Sequence, residues 1–224
     1  MTNTVTPTKL MGRGDCDRTA AVTRSLLGYG VLAGPFYVIV GVVQGLARHG
    51  FDFARHDLSL LANGSLGWIQ ILNLVLSGLM TIAAAVGMRR THNAGTWGPR
   101  LVAGYGIGLV LAGVFVADPM NGFPVGAPPG KPTGMSWHSL LHIAAGSLGF
   151  ACLIAACFVL ARRMNKWYSR VTGVLFGVSF IGIASGSGSP VIVLGFSAGV
   201  LLAWTWLAVT SVHLYRSTPK LGRS

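Results

Sequence analysis

His138 and His142 stand one helical turn apart at the start of a long apolar segment, and Asp118 precedes them at the end of another. Side chains at positions i and i+4 project from one face of a helix. Two imidazoles so placed could share a metal ion, and a carboxylate completes the donor set usual for zinc. His56 would supply the fourth ligand, or a water would hold that place. The chain contains no Glu, so proton transfer beside such a centre would fall to Asp57 or Asp52. The chemistry this set implies is metal-assisted hydrolysis, or binding, of a lipid-like molecule. Gln70, Asn73 and Ser77 share one helical face and could line a pocket for its headgroup. The loop from Met120 to Met135 is rich in Gly and Pro and long enough to act as a lid.

A plainer reading stands beside this one. Asp118 lies before a proline and could end a helix, Asp57 could cap one, and histidines beside Trp137 suit a membrane interface. On that reading the same residues form a hydrogen-bonded cluster that ties loops together, in a non-enzymatic structural or accessory protein.

Either reading needs elements to hold these residues, and composition says what they are. Of 224 residues 52% are hydrophobic and only 10% charged, with a mean hydropathy of +0.62. Soluble domains carry about 25% charged residues, so the solvent for most of this chain is lipid. Apolar runs of about the twenty residues that span a bilayer predict helices over 25–47, 67–88, 100–117, 137–161, 169–186 and 190–214. Pro35 would kink the first. Residues 1–24 read as a disordered basic tail and 215–224 as a short basic one. Between the first two spans, Phe51, Ala54, Leu58 and Leu61 recur at helical spacing with His49, Asp52 and His56 opposite. That pattern predicts an amphipathic helix lying in the interface, followed by Ser65 as a cap for the second span. The fold class is therefore all-α: a polytopic membrane protein with six transmembrane helices.

The charges fix an expected orientation. Lys and Arg cluster in the N-terminal tail, at 89–100, at 162–170 and in the C-terminal tail, which leaves Arg48, Arg55 and Lys131 for the opposite side. By the positive-inside rule both termini are cytoplasmic, and the His/Asp set faces outward. The net charge of +12 sits in short clusters between apolar runs, which suits anionic headgroups and argues against nucleic acid. No Asp, Glu, Lys or Arg falls at a span centre, which disfavours ion-coupled transport. His92 and His213 lie at the far edge, so no transverse pair presents itself for haem. Cys16, Cys152 and Cys157 form no disulfide or metal spacing. Gly pairs at spacing four, Gly30/Gly34, Gly104/Gly108, Gly173/Gly177 and Gly195/Gly199, predict close helix approach.

The run HDLSLLANGSLGWIQILNLVLSGLM (56–80), followed by a span ending in Asp-Pro and later a His-containing helix start, resembles a bacterial six-span membrane family. That family is known as domain of unknown function 998, and the likeness covers about 25–214. It implies the six-helix fold and a recurring outer-face set matched here by His56, Asp57, Asp118 and His138; with the orientation above, the expected location is the inner membrane. It implies no activity. A looser similarity is to the membrane metal hydrolases that include alkaline ceramidases and adiponectin receptors, which pair a His-x-x-x-His with an Asp and a further His. Those have seven spans and a different order, so the comparison is one of analogy.

Overall fold

A computed structural model describes residues 13–218, Lys131 and Thr133 excepted. Six helices in it are long and apolar enough to cross a membrane: α1 (Arg13–Ala47), α2 (Gly67–Arg89), α3 (Trp97–Val114), α4 (Trp137–Ala161), α5 (Lys166–Ala184) and α6 (Pro190–Ser217). At 1.5 Å per residue α2 is about 34 Å long, close to the ~30 Å of bilayer hydrocarbon. The helix surfaces turned away from the bundle carry Leu32, Ile39, Leu148, Val178 and Ile181, all exposed. In water that surface would be costly; in lipid it is matched to its solvent. Trp68, Trp97, Trp137 and Trp167 are also exposed, each within the first turn of its helix. They form aromatic belts at both ends of the bundle, as interfacial tryptophans do.

Each helix packs on its neighbours in sequence, and α6 returns to α1, so the six close into a ring. Small residues set the approach. A Cβ on Gly78 of α2 would stand 2.6 Å from the carbonyl oxygen of Gly106 on α3, and one on Gly108 would stand 2.8 Å from Gly149 Cα on α4. Gly34 admits Trp204 of α6 against α1 in the same way. The middle of the ring is aromatic. Tyr37 and Tyr105 flank Trp204 at centroid distances of 5.4 and 5.5 Å, and Phe150 gathers Phe176, Phe180 and Phe196 around it.

Several expected boundaries move. α1 begins at Arg13, so residues 13–24 are helical and not a disordered tail; residues 1–12 and 219–224 lie outside the described residues. α6 continues to Ser217. α3 ends at Val114, and Phe115 is already extended, so Asp118 follows the helix at a distance instead of terminating it. The amphipathic helix expected between α1 and α2 does not form. Gly50, at φ +84°, breaks the chain away from α1, and only a short 3-10 helix appears, Leu58–Ala62. The guanidinium of Arg48 explains the fold-back: it donates to the carbonyls of Leu61 (2.9 Å) and Asn63 (2.7 Å). Ser65 caps nothing, since α2 starts after Leu66 with no side-chain cap.

Candidate functional site

One end of the bundle gathers the α1–α2 segment, the α3–α4 loop and the start of α6. The α3–α4 loop is compact. Asn121 N–H donates to the Gly130 carbonyl at 3.0 Å and Gly122 N–H to that of Pro128 at 2.8 Å. Asn121, Gly122 and Gly126 all have positive φ, and the Phe123–Pro124 bond is cis. This folding drives Phe123 inward until it is fully buried against Leu60, Leu61 and Phe51, with the Arg48 guanidinium 4.8 Å from its ring centroid. The loop expected as a lid is thus a stopper, held by aromatic packing and a cation–π contact.

His56 belongs to that stopper. It is buried, and its ring lies 5.3 Å from Phe51 and 5.5 Å from Phe123. Its Nδ1 accepts the Asp52 N–H at 3.0 Å, so Nε2 carries the hydrogen and donates it to the Asn121 carbonyl at 3.0 Å. No ring lone pair is left for a metal. His142, also buried, is turned to α3. Its Nδ1 donates to the carbonyls of Ala112 (2.9 Å) and Phe115 (2.8 Å), which the end of α3 leaves without helical partners. His138 stacks on Trp137 with centroids 3.5 Å apart.

Asp118 organises the start of α4. Its two carboxylate oxygens accept from Ser136 N–H (2.8 Å) and Ser136 hydroxyl (2.6 Å). Ser136 in turn caps α4 by accepting the Ser139 N–H at 3.1 Å, and Ser139 hydroxyl accepts the Asp118 N–H at 3.2 Å. The Ser136 hydroxyl, then its N–H, hold the Asp118 carboxyl below the usual carboxylate range, with a smaller contribution from His138. Asp118 and His138 share a broadly open hollow of about 360 Å³ with Asn63 and Ser136.

Of the expected zinc set, then, the structure brings Asp118 and His138 to one hollow and commits His56 and His142 to backbone groups elsewhere. Among the described residues no three His, Cys, Asp or Glu side chains gather as metal ligands.

The polar stripe forms a buried hydrogen-bonded ladder along α2. Gln70, Asn73 and Ser77 are fully buried between α2 and α1. Asn73 Nδ2 donates to the Tyr37 carbonyl at 3.0 Å and to Gln70 Oε1 at 3.1 Å, and Thr81 hydroxyl continues the ladder to the Ser77 carbonyl at 2.8 Å. These residues line neither hollow.

A second, more enclosed cavity of about 170 Å³ was not foreseen. It lies between α1 and α6 under the α1–α2 segment, lined by Tyr37, Val38 and Val42 of α1, by Phe53, Asp57 and Leu58, and by Leu194, Phe196, Ser197, Val200 and Leu201 of α6. Val42, Leu194 and Leu201 are also exposed on the lipid-facing surface, so the cavity borders the membrane. Among the described residues that line it, Asp57 alone is charged. The Ser59 hydroxyl donates to Asp57 Oδ1 at 2.6 Å, and the carboxylate makes no ion pair among the described residues. The sequence offered a faint signal for this place: Ser197 and Tyr37 are polar tips on the sixth and first spans, at matching depth.

No curated protein and no solved structure matches the chain. A family model does, over residues 31–213, which takes in α2 to α5 entirely, about half of α1 and most of α6. The chain belongs to the family described as Protein of unknown function (DUF998).

Proposed function

We propose that this is an inner-membrane protein, with both termini in the cytoplasm, that binds a lipid-like amphipathic molecule at the outer leaflet between α1 and α6. The observation that carries the reading is the cavity itself: apolar along α1 and α6, reaching exposed apolar side chains of both, and carrying Asp57 in its wall. A space of about 170 Å³ is near that of the engineered apolar cavity that takes up benzene. It therefore accommodates a headgroup and the first part of one chain, with the remainder of the chain left in lipid. Binding is favoured over hydrolysis because the imidazole nearest in sequence to Asp57, that of His56, has both nitrogens occupied by backbone groups. It cannot serve as a base without unmaking the stopper.

Photolabelling tests the reading. A single-chain alkyl probe carrying a diazirine, added to the protein in nanodiscs, is expected to label residues 37–42 and 194–201 above all others. Ser197→Trp, which fills the cavity, should reduce that labelling several-fold. Label spread over α4 and α5 in proportion to exposed positions such as Leu148 and Val178 would sink the proposal.

A further inference from the structure

Resting on that reading, we infer that the headgroup taken up between α1 and α6 is cationic: the ligand is a single-chain amine or quaternary ammonium amphiphile. Charge complementarity with the cavity wall carries this. Among the described residues Asp57 is the sole carboxylate or amine in the wall, and Ser59 donates to one of its oxygens only. The nearest cations in the sequence do not neutralise it. Arg48 spends its guanidinium on the Leu61 and Asn63 carbonyls and the Phe123 ring, and Arg55 is exposed outside the cavity wall. A half-buried carboxylate beside an apolar wall, with no cationic partner among the described residues, attracts a positive group more strongly than it would in bulk water. The rings of Phe53 and Tyr37 stand in the same wall, and aromatic faces favour ammonium groups, quaternary ones included. An anionic headgroup would meet Asp57 with like charge, and a neutral one would leave it uncompensated.

The test is competition against the photoreactive alkyl probe in nanodiscs of zwitterionic lipid, read as loss of label at 37–42 and 194–201. The competitors are dodecylamine, dodecyltrimethylammonium, dodecanol and dodecyl sulfate, each below its micellar concentration. The two cations are expected to compete roughly five- to tenfold better than the alcohol, and the sulfate worst. In Asp57→Asn the ratio of amine to alcohol should collapse toward one. Asp118→Asn removes the same charge from the same end of the bundle but outside the cavity, and should keep the ratio. Cooperative melting above the assay temperature, at a lower midpoint for Asp118→Asn, is the criterion that each variant is folded; Phe53→Leu, which leaves Asp57 in place, should lower the preference for the quaternary ammonium selectively and serves if Asp57→Asn fails to fold. Equal competition by all four, or an equal effect of Asp118→Asn, overturns the cationic headgroup while the cavity reading stands. Failure of every alkyl compound to compete overturns both.

Discussion

Asp118 shows how one carboxylate can look like a ligand and act as a joint. It receives two hydrogen bonds from Ser136, the residue that caps α4, so the end of the α3 segment is bolted to the start of the next helix. Hydrogen bonding to the charged form lowers its pKa, and the sign of the linkage follows. The folded value lies below the unfolded one of about 3.9, so the contribution is complete above that pH and is lost as pH falls through the folded value. Acid should therefore lower the melting temperature in detergent below about pH 4. Asp118→Asn, melted alongside the parent chain from pH 6 to pH 3, should show a lower melting point at pH 6 and a shallower fall in acid. Parallel curves would mean that the Ser136 bonds contribute nothing. His142 adds to this: its spacing from His138 suggested a shared metal, and its Nδ1 is found donating to the Ala112 and Phe115 carbonyls at the end of α3. Spacing places side chains on a face; it does not say which unsatisfied groups the fold will bring to that face.

At the scale of elements, the spans were legible because their cause is local. A run of about twenty apolar residues has no other stable home, and α2 and α4 begin and end within a residue of where that rule puts them. The loops were not legible, because long-range contacts shape them. Arg48 reaches carbonyls thirteen and fifteen residues on, and His56 meets Asn121, which is 65 residues away. Local periodicity over 48–66 contains none of this, which is why it suggested a helix where a fold-back exists. Glycine spacing was half informative. Gly104 and Gly173 do sit against neighbouring helices, but Gly195 has open space before it, and the tight pair Gly78/Gly106 joins two helices and so has no signature within either. Gly78→Leu tests this contact directly, because the atom it strikes is a backbone carbonyl that cannot rotate away. Overpacking of this kind costs about 1–3 kcal/mol, or between about 2 and 12 °C in melting temperature for a chain of this size. Gly195→Ala should leave melting unchanged, and equal melting for both variants would place α2 and α3 further apart than described here.

For the whole molecule the central question is which way the ring of helices stands in its membrane, since the cavity between α1 and α6 is useful only to the leaflet it faces. An even number of crossings puts both termini on one side. Four Lys or Arg precede the apolar part of α1, three lie from the end of α2 to the first turn of α3, four from the end of α4 to the second turn of α5, and three follow or end α6, fourteen in all. The opposite side has Arg48, Arg55 and Lys131, and Arg48 is drawn in beneath Phe123 by its carbonyl partners. The bias acts during insertion through basic residues in short loops close to the helix ends, and every loop here is short. Reporter fusions truncated after residue 95 and after residue 165 are therefore expected to report cytoplasm, and fusions near residues 55 and 128 to report the outside. An outside signal at 165 would break the six-span topology. Inverted signals at all four positions would keep the spans but turn the α1–α6 cavity to the inner leaflet, where Asp57 would meet cytoplasmic amphiphiles instead.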